Sequence, residues 1–125
     1  MAVVVDAGGW IGVDRGDRRV GALLRVAHEA RLPVRTSAAV VAQVWRDGTR
    51  QANLARVLAG TDVLRLDGSD GRAVGQLLAR AGTADVVDGH LATLVRTGDT
   101  VLTGDVADLR VLVFARGVDA AVHQV

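Results

Sequence analysis

Aspartates at three separated places of this sequence have the residue type and the setting for metal chemistry. Asp6 and Asp105 each come closely after a short apolar run, and Asp88 lies near the start of a third apolar segment. Asp85 precedes Asp88 by three residues, so on a helix the two side chains share one face. Carboxylates that converge from separate segments, without cysteine and without histidines at ligand spacing, are typical of a site for a hard cation, Mg²⁺ or Mn²⁺.

Helix capping is a simpler explanation for each of these acids taken alone. Asp85 and Asp88 have the spacing of an N-cap and its third helical residue, and Asp105 and Asp108 repeat that spacing. Asp6 can form an Asx turn. Capping gives no reason for the acids to gather at one edge of a sheet, so their joint placement favours the metal site.

Hydrophobic periodicity predicts that strands and helices alternate along the chain. The predicted strands cover residues 2–5, 34–36, 61–66, 100–103 and 120–123, and the predicted helices cover residues 17–32, 38–46, 51–58, 71–81 and 106–115, with one more between Thr83 and Gly98. Residues 6–9 are predicted to form a tight turn. This order predicts an α/β fold in three layers, with a central parallel sheet of four to five short strands flanked by helices, as a single domain over residues 1–125. Reactive side chains of such sheets lie at the carboxyl ends of the strands, where Asp6 and Asp105 fall.

Composition excludes several other kinds of chemistry. The 125 residues include no cysteine, which excludes disulfides, thiolate metal sites and cysteine nucleophiles. All 15 basic residues are arginine, which removes the lysine of a phosphate-binding loop. Gly8-Gly9 lacks the further spaced glycine of a dinucleotide-binding turn. The chain has neither the basic start of a signal peptide nor an apolar run of bilayer length, which predicts a cytoplasmic protein without a membrane partner.

Four segments together resemble, in order and spacing, the motifs of the PIN-domain family. They are residues 3–7 (VVVDA), 37–46 (SAAVVAQVWR), 83–92 (TADVVDGHLA) and 101–109 (VLTGDVADL). The resemblance is strongest to the VapC-type ribonuclease toxins of bacterial toxin–antitoxin pairs, and it covers essentially the whole chain. It implies a PIN-like fold and an endoribonuclease with Mg²⁺ or Mn²⁺ as its cofactor, in which water is the nucleophile and the products are a 5′-phosphate and a 3′-hydroxyl.

The resemblance also assigns roles to particular residues. Asp6, Asp88 and Asp105 match the three aspartates that bind the metal and act in catalysis, and Asp85 and Asp108 match accessory acids. It further implies RNA as substrate, a small cognate antitoxin that occupies the active-site groove, and a homodimer.

One position departs from the family. In the helix after the second strand the family's usual residue is Glu, and this chain has Gln43 there. An amide oxygen can still ligate Mg²⁺ or hold a water bound to the ion, so Gln43 remains a candidate catalytic residue, but the cluster has one negative charge fewer. We expect either that Asp85 supplies the missing charge at the metal or that metal binding is weaker.

Candidate substrate contacts lie beside the acids. Thr103 matches the hydroxyl residue that precedes the family's last acid by two, and Arg46 is the arginine we favour as a phosphate contact. The other arginines that would meet phosphate, if their segments flank the same edge, are Arg15, Arg18, Arg19 and Arg50. Trp10 and Trp45 are predicted to be core residues, since aromatic residues are scarce in this chain. His90 is predicted to lie at the surface or to be partly satisfied.

Two other functions stay open from the sequence alone. Gln43 raises the possibility of a catalytically weakened PIN domain that binds RNA or protein without cutting. A receiver-like phosphoacceptor domain also has an aspartate after a strand, but it uses a lysine at the sheet edge and this chain has none.

Overall fold

Five short strands form one sheet at the centre of the computed structural model, which describes all residues, Met1–Val125. In chain order they are β1 (Val3–Val5), β2 (Val34–Ser37), β3 (Asp62–Leu64), β4 (Thr100–Thr103) and β5 (Ala121–Gln124). Their order across the sheet is β3-β2-β1-β4-β5, and every neighbouring pair is parallel. The predicted fold class and strand number are therefore confirmed.

Seven helices connect the strands. They are α1 (Ala7–Asp14), α2 (Arg18–Glu29), α3 (Ala38–Val44), α4 (Ala52–Ala59), α5 (Gly68–Ala81), α6 (Val86–Thr93) and α7 (Val106–Arg116). Helix α1 packs against α2, α3 and α4, whereas α5, α6 and α7 pack against one another. The chain moves one way across the sheet from β1 to β3 and the other way from β4 to β5, so right-handed crossovers place the two groups on opposite faces. The predicted three layers follow from this reversal. Every helix is too short or too polar to span a bilayer.

The core is almost entirely aliphatic. All three residues of β1 are buried, as are the helix residues Val20, Leu24 and Ala27 that face the sheet, whereas their neighbour Leu23 is exposed. Trp10 is fully buried, as predicted, and its indole Nε1 donates a hydrogen bond to Thr36 Oγ1 at 2.9 Å. The prediction for Trp45 is wrong. Its ring lies against Gly48, and 37% of the residue is exposed. Helix α3 ends at Val44, so Trp45 lies just beyond the helix and its side chain is turned away from the core.

The tight turn predicted for residues 6–9 is wrong, because helix α1 begins inside it. Its glycines permit close packing and do not break the helix. A Cβ on Gly8 would lie 2.7 Å from the backbone nitrogen of Gly104, and one on Gly9 would lie 2.5 Å from Val5 Cγ1. Only glycine fits at these contacts. The glycine pair therefore lets the first turn of α1 lie directly on the end of β4.

Helix α6 is shorter than the predicted segment. It ends at Thr93, and the guanidinium Nη1 of Arg116, from the end of α7, donates hydrogen bonds to the carbonyls of Ala92, Thr93 and Val95. The last carbonyls of a helix have no partner within it, so this cation satisfies them and also opposes the negative end of the helix dipole. Arg116 thus holds α7 against the end of α6.

Candidate active site

Asp6 lies at the carboxyl end of β1 with only 5% of its surface exposed. It is the N-cap of α1, and its Oδ1 accepts a hydrogen bond from the backbone nitrogen of Ala7 at 2.8 Å. Its Oδ2 accepts a hydrogen bond from Thr103 Oγ1 at 2.8 Å. Both oxygens of this carboxylate are held in place, so its orientation is fixed by the protein.

Thr103 joins the first aspartate to the last. Its hydroxyl donates to Asp6 and accepts a hydrogen bond from the backbone nitrogen of Asp105 at 2.9 Å. Thr103 is fully buried, and both hydrogen bonds of its hydroxyl are internal. We therefore assign it to positioning these two aspartates, which differs from the substrate contact expected from the sequence.

The sheet topology explains why Asp6 and Asp105 are neighbours. Strands β1 and β4 pair in parallel, with Val5 opposite Leu102, so their carboxyl ends lie side by side. The connections leave these two strands in opposite directions, which opens a crevice at this point of a parallel sheet. Ligand sites of open α/β folds lie in this crevice.

Helix α6 brings in the remaining pair of acids. Asp85 is its N-cap, and the Oδ1 atom accepts a hydrogen bond from the backbone nitrogen of Asp88 at 2.9 Å. Gly89 lets this turn pack closely on α5, since a Cβ there would lie 2.9 Å from Leu78 Cδ2 and 3.0 Å from Val74 Cγ1. The capping role and the close packing together fix the backbone that carries Asp88.

Asp88 is the electrostatic centre of the cluster. Its pKa is raised to about 7, first because burial disfavours the charged form and then because four other carboxylates repel it. Those four are, in order of effect, Asp6, Asp85, Asp108 and Asp105. Five aspartates from three segments of the chain therefore lie close enough to act on one another.

Asp105 and Asp108 interact in the same way at the start of α7. Asp105 is the N-cap, and its Oδ1 accepts a hydrogen bond from the backbone nitrogen of Asp108 at 3.3 Å. The pKa of the Asp108 carboxyl group is raised by a hydrogen bond between its side chain and that of Asp105 and by the charge of Asp105. All three ion pairs of the protein lie elsewhere, so no arginine neutralises the five carboxylates.

The chemistry of these donors fits a hard divalent cation. All are carboxylate oxygens, the ligands that Mg²⁺ and Mn²⁺ prefer, and their mutual repulsion is relieved by a cation. No three acidic or histidine side chains are arranged so that they could hold a metal ion directly among them. Mg²⁺ keeps several of its waters and takes one or two carboxylates from a protein, so it does not require such a trio.

Two expected site residues form no hydrogen bond or ion pair with the acids. Gln43 lies exposed on α3, which packs against α6, and it forms no hydrogen bond with any of the carboxylates. Arg46 is also exposed, and its Nη1 donates to the carbonyls of Ala42 at 3.0 Å and Trp45 at 2.6 Å. The Arg46 guanidinium is thus engaged with the carboxyl end of α3, the helix that precedes it.

His90 is buried and hydrogen-bonded through one ring nitrogen, so of the two predicted alternatives, a surface histidine and a partly satisfied one, it is the second. Only 1% of it is exposed, and its Nδ1 lies 2.6 Å from Ser37 Oγ. Burial lowers the pKa of its imidazole. Ser37 also caps α3, so this pair connects the start of α3 with the helix that carries Asp88. The apolar neighbours of His90 on α6 are the feature of the sequence that could have indicated this burial.

Comparisons with known proteins support the fold. No protein-family model matches the sequence, and no curated protein matches it. Among the solved structures that match is a chain of the crystal structure of VapBC2 from Rickettsia felis bound to a DNA fragment from their promoter. The two chains superpose with a TM-score of 0.68 at 12% sequence identity, over 99% of this chain and 100% of that chain. The resemblance indicated by the four motif segments is therefore confirmed at the level of the fold, and this chain has the PIN-like fold.

Proposed function

We propose that this chain is a metal-dependent endoribonuclease of the VapC type, the toxin of a type II toxin–antitoxin pair. The observation that carries the proposal is the raised pKa of Asp88, which four neighbouring carboxylates repel at the crevice between β1 and β4. Repulsion among these carboxylates destabilises the folded chain when no cation is bound. Carboxylates with perturbed pKa values in a crevice are typical of functional sites.

Asp6, Asp88 and Asp105 would surround a Mg²⁺ or Mn²⁺ ion, with one or two of them bound to it directly and the others through its waters, and Asp85 would be an additional acid at the edge. Asp6 is pre-positioned by Ala7 and Thr103, whereas Asp85 and Asp105 are more exposed, and each is held through one oxygen as a helix N-cap. When bound, such an ion lowers the pKa of a coordinated water and neutralises charge on the scissile phosphate. Hydrolysis would join the water oxygen to phosphorus, break the bond from phosphorus to the 3′ oxygen, and leave that oxygen as a hydroxyl with a proton that comes from the water.

Gln43 is the remaining candidate catalytic residue, placed on the helix beside α6. Its amide has no hydrogen-bond partner in the protein and is exposed, so it is available to a water or to the substrate. Arg46 lies one turn further along the chain, and we propose it as a phosphate contact that exchanges its helix carbonyls for RNA.

The same proposal includes the partners. VapBC2 from Rickettsia felis is a complex bound to promoter DNA, and the similarity of fold supports a small antitoxin as the partner of this chain. We further propose a homodimer that acts in the cytoplasm.

We expect the purified chain to cleave RNA only in the presence of a divalent cation. The measurement is incubation with structured RNA and Mn²⁺ or Mg²⁺, followed by gel analysis and by a test for 5′-phosphate on the products. EDTA is expected to stop cleavage, and renewed Mn²⁺ to restore it. Cleavage that continues in EDTA contradicts the proposal.

Replacement of Gln43 by Glu tests the second candidate function, an RNA- or protein-binding module without nuclease activity. We expect Gln43→Glu to lower the Mn²⁺ concentration needed for half-maximal cleavage, because a further negative charge strengthens cation binding. Gln76→Glu on α5 adds the same charge on an exposed helix outside the cluster and serves as the control. An inert wild type that becomes a nuclease only with Glu at position 43 would favour the binding module.

A further inference from the structure

A groove with a volume of about 840 Å³ runs along the outer face between α2 and α4. Leu24 and Val57 give it an apolar lining, and the side chains of Arg18, Arg25 and Arg56 line it as well. Each helix directly precedes a strand of the parallel sheet, α2 before β2 and α4 before β3, so both run from the carboxyl side of the sheet towards its amino edge. The groove therefore starts at the edge of the sheet that carries the aspartates.

The positive charge of this groove is not neutralised by the protein. Arg18 and Arg25 form no side-chain hydrogen bond or ion pair, and Arg56 reaches only the amide oxygen of Asn53, at 3.4 Å. The one acid among the lining residues is Asp17, whose carboxylate accepts the backbone nitrogen of Val20 at 3.0 Å as the N-cap of α2. An anionic ligand would find here three guanidinium groups, none of which is paired with an acid.

Hydrogen bonds tie the start of the groove to the candidate active site. Arg19, the next residue after Arg18, donates from Nη2 to the carbonyl oxygen of Gln124 at 3.0 Å. The Gln124 side-chain amide in turn donates to the carbonyl oxygen of Gly104 at 3.0 Å, and Gly104 directly precedes Asp105. Arg19 thus connects the edge of the aspartate cluster with the start of α2, where its neighbour Arg18 lines the groove.

We propose that the groove between α2 and α4 binds the phosphate backbone of single-stranded RNA and continues the substrate path that begins at the aspartates. This inference rests on the proposed ribonuclease function. Arginine suits the purpose because its planar fork donates to phosphate oxygens in pairs. Continuity with the aspartates favours RNA, because the backbone of a substrate cut at the aspartates must extend away from them along the surface of the protein.

The lining residues also determine what kind of binding this is. The groove contains no Phe, Tyr or Trp on which a base could stack, and its aliphatic side chains do not read base edges. Binding of the phosphate backbone depends strongly on salt, since it arises from the release of counterions.

The test measures binding of fluorescent oligouridylate to the whole chain in EDTA, over a series of KCl concentrations. We expect the double variant Arg25→Gln/Arg56→Gln to bind about tenfold more weakly at low salt, and the slope of log affinity against log salt to fall by about 1.4, or about 0.7 for each charge removed. The control is Arg72→Gln/Arg80→Gln, which removes two exposed arginines of α5 that form no side-chain hydrogen bond or ion pair. It is expected to bind like the wild type.

Equal losses in both double variants, or no loss in either, would overturn the proposal. So would a clear preference of the groove for polyglutamate over oligouridylate, because that result assigns it to an acidic protein partner. The binding assay contains no divalent cation, so it does not depend on cleavage. Groove-dependent RNA binding by a chain that never cleaves RNA would refute the nuclease and leave the groove in place, whereas active nuclease with groove-independent binding would refute the groove alone.

Discussion

Asp88→Asn is expected to reduce metal-dependent RNA cleavage about 100-fold or more while making the folded protein more stable at alkaline pH. Changes in residues that only support a metal ligand reduce metal affinity or activity about 10- to 100-fold, so loss of a central carboxylate should have at least that effect. Asparagine keeps the shape of the side chain and removes its charge. Initial rates of RNA cleavage at several Mn²⁺ concentrations provide the measurement.

The stability change follows from the pKa of Asp88. A carboxyl group whose pKa is about 7 in the folded protein, against 3.8 ordinarily, favours folding below about pH 4. That contribution is lost as the pH rises through 7, where the folded protein must carry the repelled charge. Removing the charge should therefore stabilise the variant at pH 8 by on the order of 1 kcal/mol, after allowance for solvent screening of this half-exposed group. At pH 5 the gain should be smaller.

Denaturant unfolding of wild type and variant at the two pH values checks this second effect. Asp119→Asn is the matched control, because Asp119 is exposed and its carboxylate has no partner in the protein. Mn²⁺ should raise the melting temperature of the wild type and of the control more than that of Asp88→Asn, since a ligand stabilises only the state that binds it. A fully active Asp88→Asn variant would remove Asp88 from the catalytic site.

The carboxyl edge of the sheet was predictable from the sequence because its acids follow strands. Apolar runs ending at Asp6 and at Asp105 indicate buried parallel strands, and in such a sheet their ends coincide whatever the helices do between them. The spacing of Asp85 and Asp88 likewise indicates a helix start. Rules of local structure thus predict that side chains nearly a hundred residues apart in the chain lie at the same edge of the sheet.

Other features depend on contacts that a single sequence does not display. Adjacent glycines such as Gly8 and Gly9 are typical of a turn. Only the close approach of the Gly104 backbone to Gly8 explains why glycine is needed here inside a helix. Histidine is commonly a surface residue, and the buried His90 has a hydrogen-bond partner only because Ser37 lies beside it. In each case the deciding atom belongs to a distant segment.

Asp99 shows the same limit most clearly, since it lies one residue before β4 and therefore at the opposite edge from the aspartate cluster. It is 2% exposed, and its Oδ1 accepts a hydrogen bond from the backbone nitrogen of Ala2 at 2.8 Å. Its Oδ2 accepts one from the backbone nitrogen of Arg96 at 2.8 Å and pairs with Arg35 at 3.5 Å. One carboxylate therefore joins the starts of β1 and β4 to β2.

Asp99→Ala is expected to destabilise the protein by about 3 kcal/mol or more without changing the chemistry of the cluster. It leaves two backbone N–H groups without an acceptor, each worth about 1–3 kcal/mol, and it removes the partner of Arg35. A domain with a total stability of about 5–15 kcal/mol would lose a large part of it. The measurement is the free energy of unfolding in urea.

Two further variants separate the carboxylate's role from general damage. Asp62→Ala removes an exposed acid from the edge strand β3 and should change stability by less than about 0.5 kcal/mol. Asp99→Asn keeps one oxygen as an acceptor but not the charge, so its loss should fall between those of the two alanine variants. Should Asp99→Ala prove as stable as Asp62→Ala, the amino edge of the sheet must be held by its backbone pairing alone. The acids would then contribute only at the opposite edge, where their mutual repulsion opposes folding and favours binding of a cation.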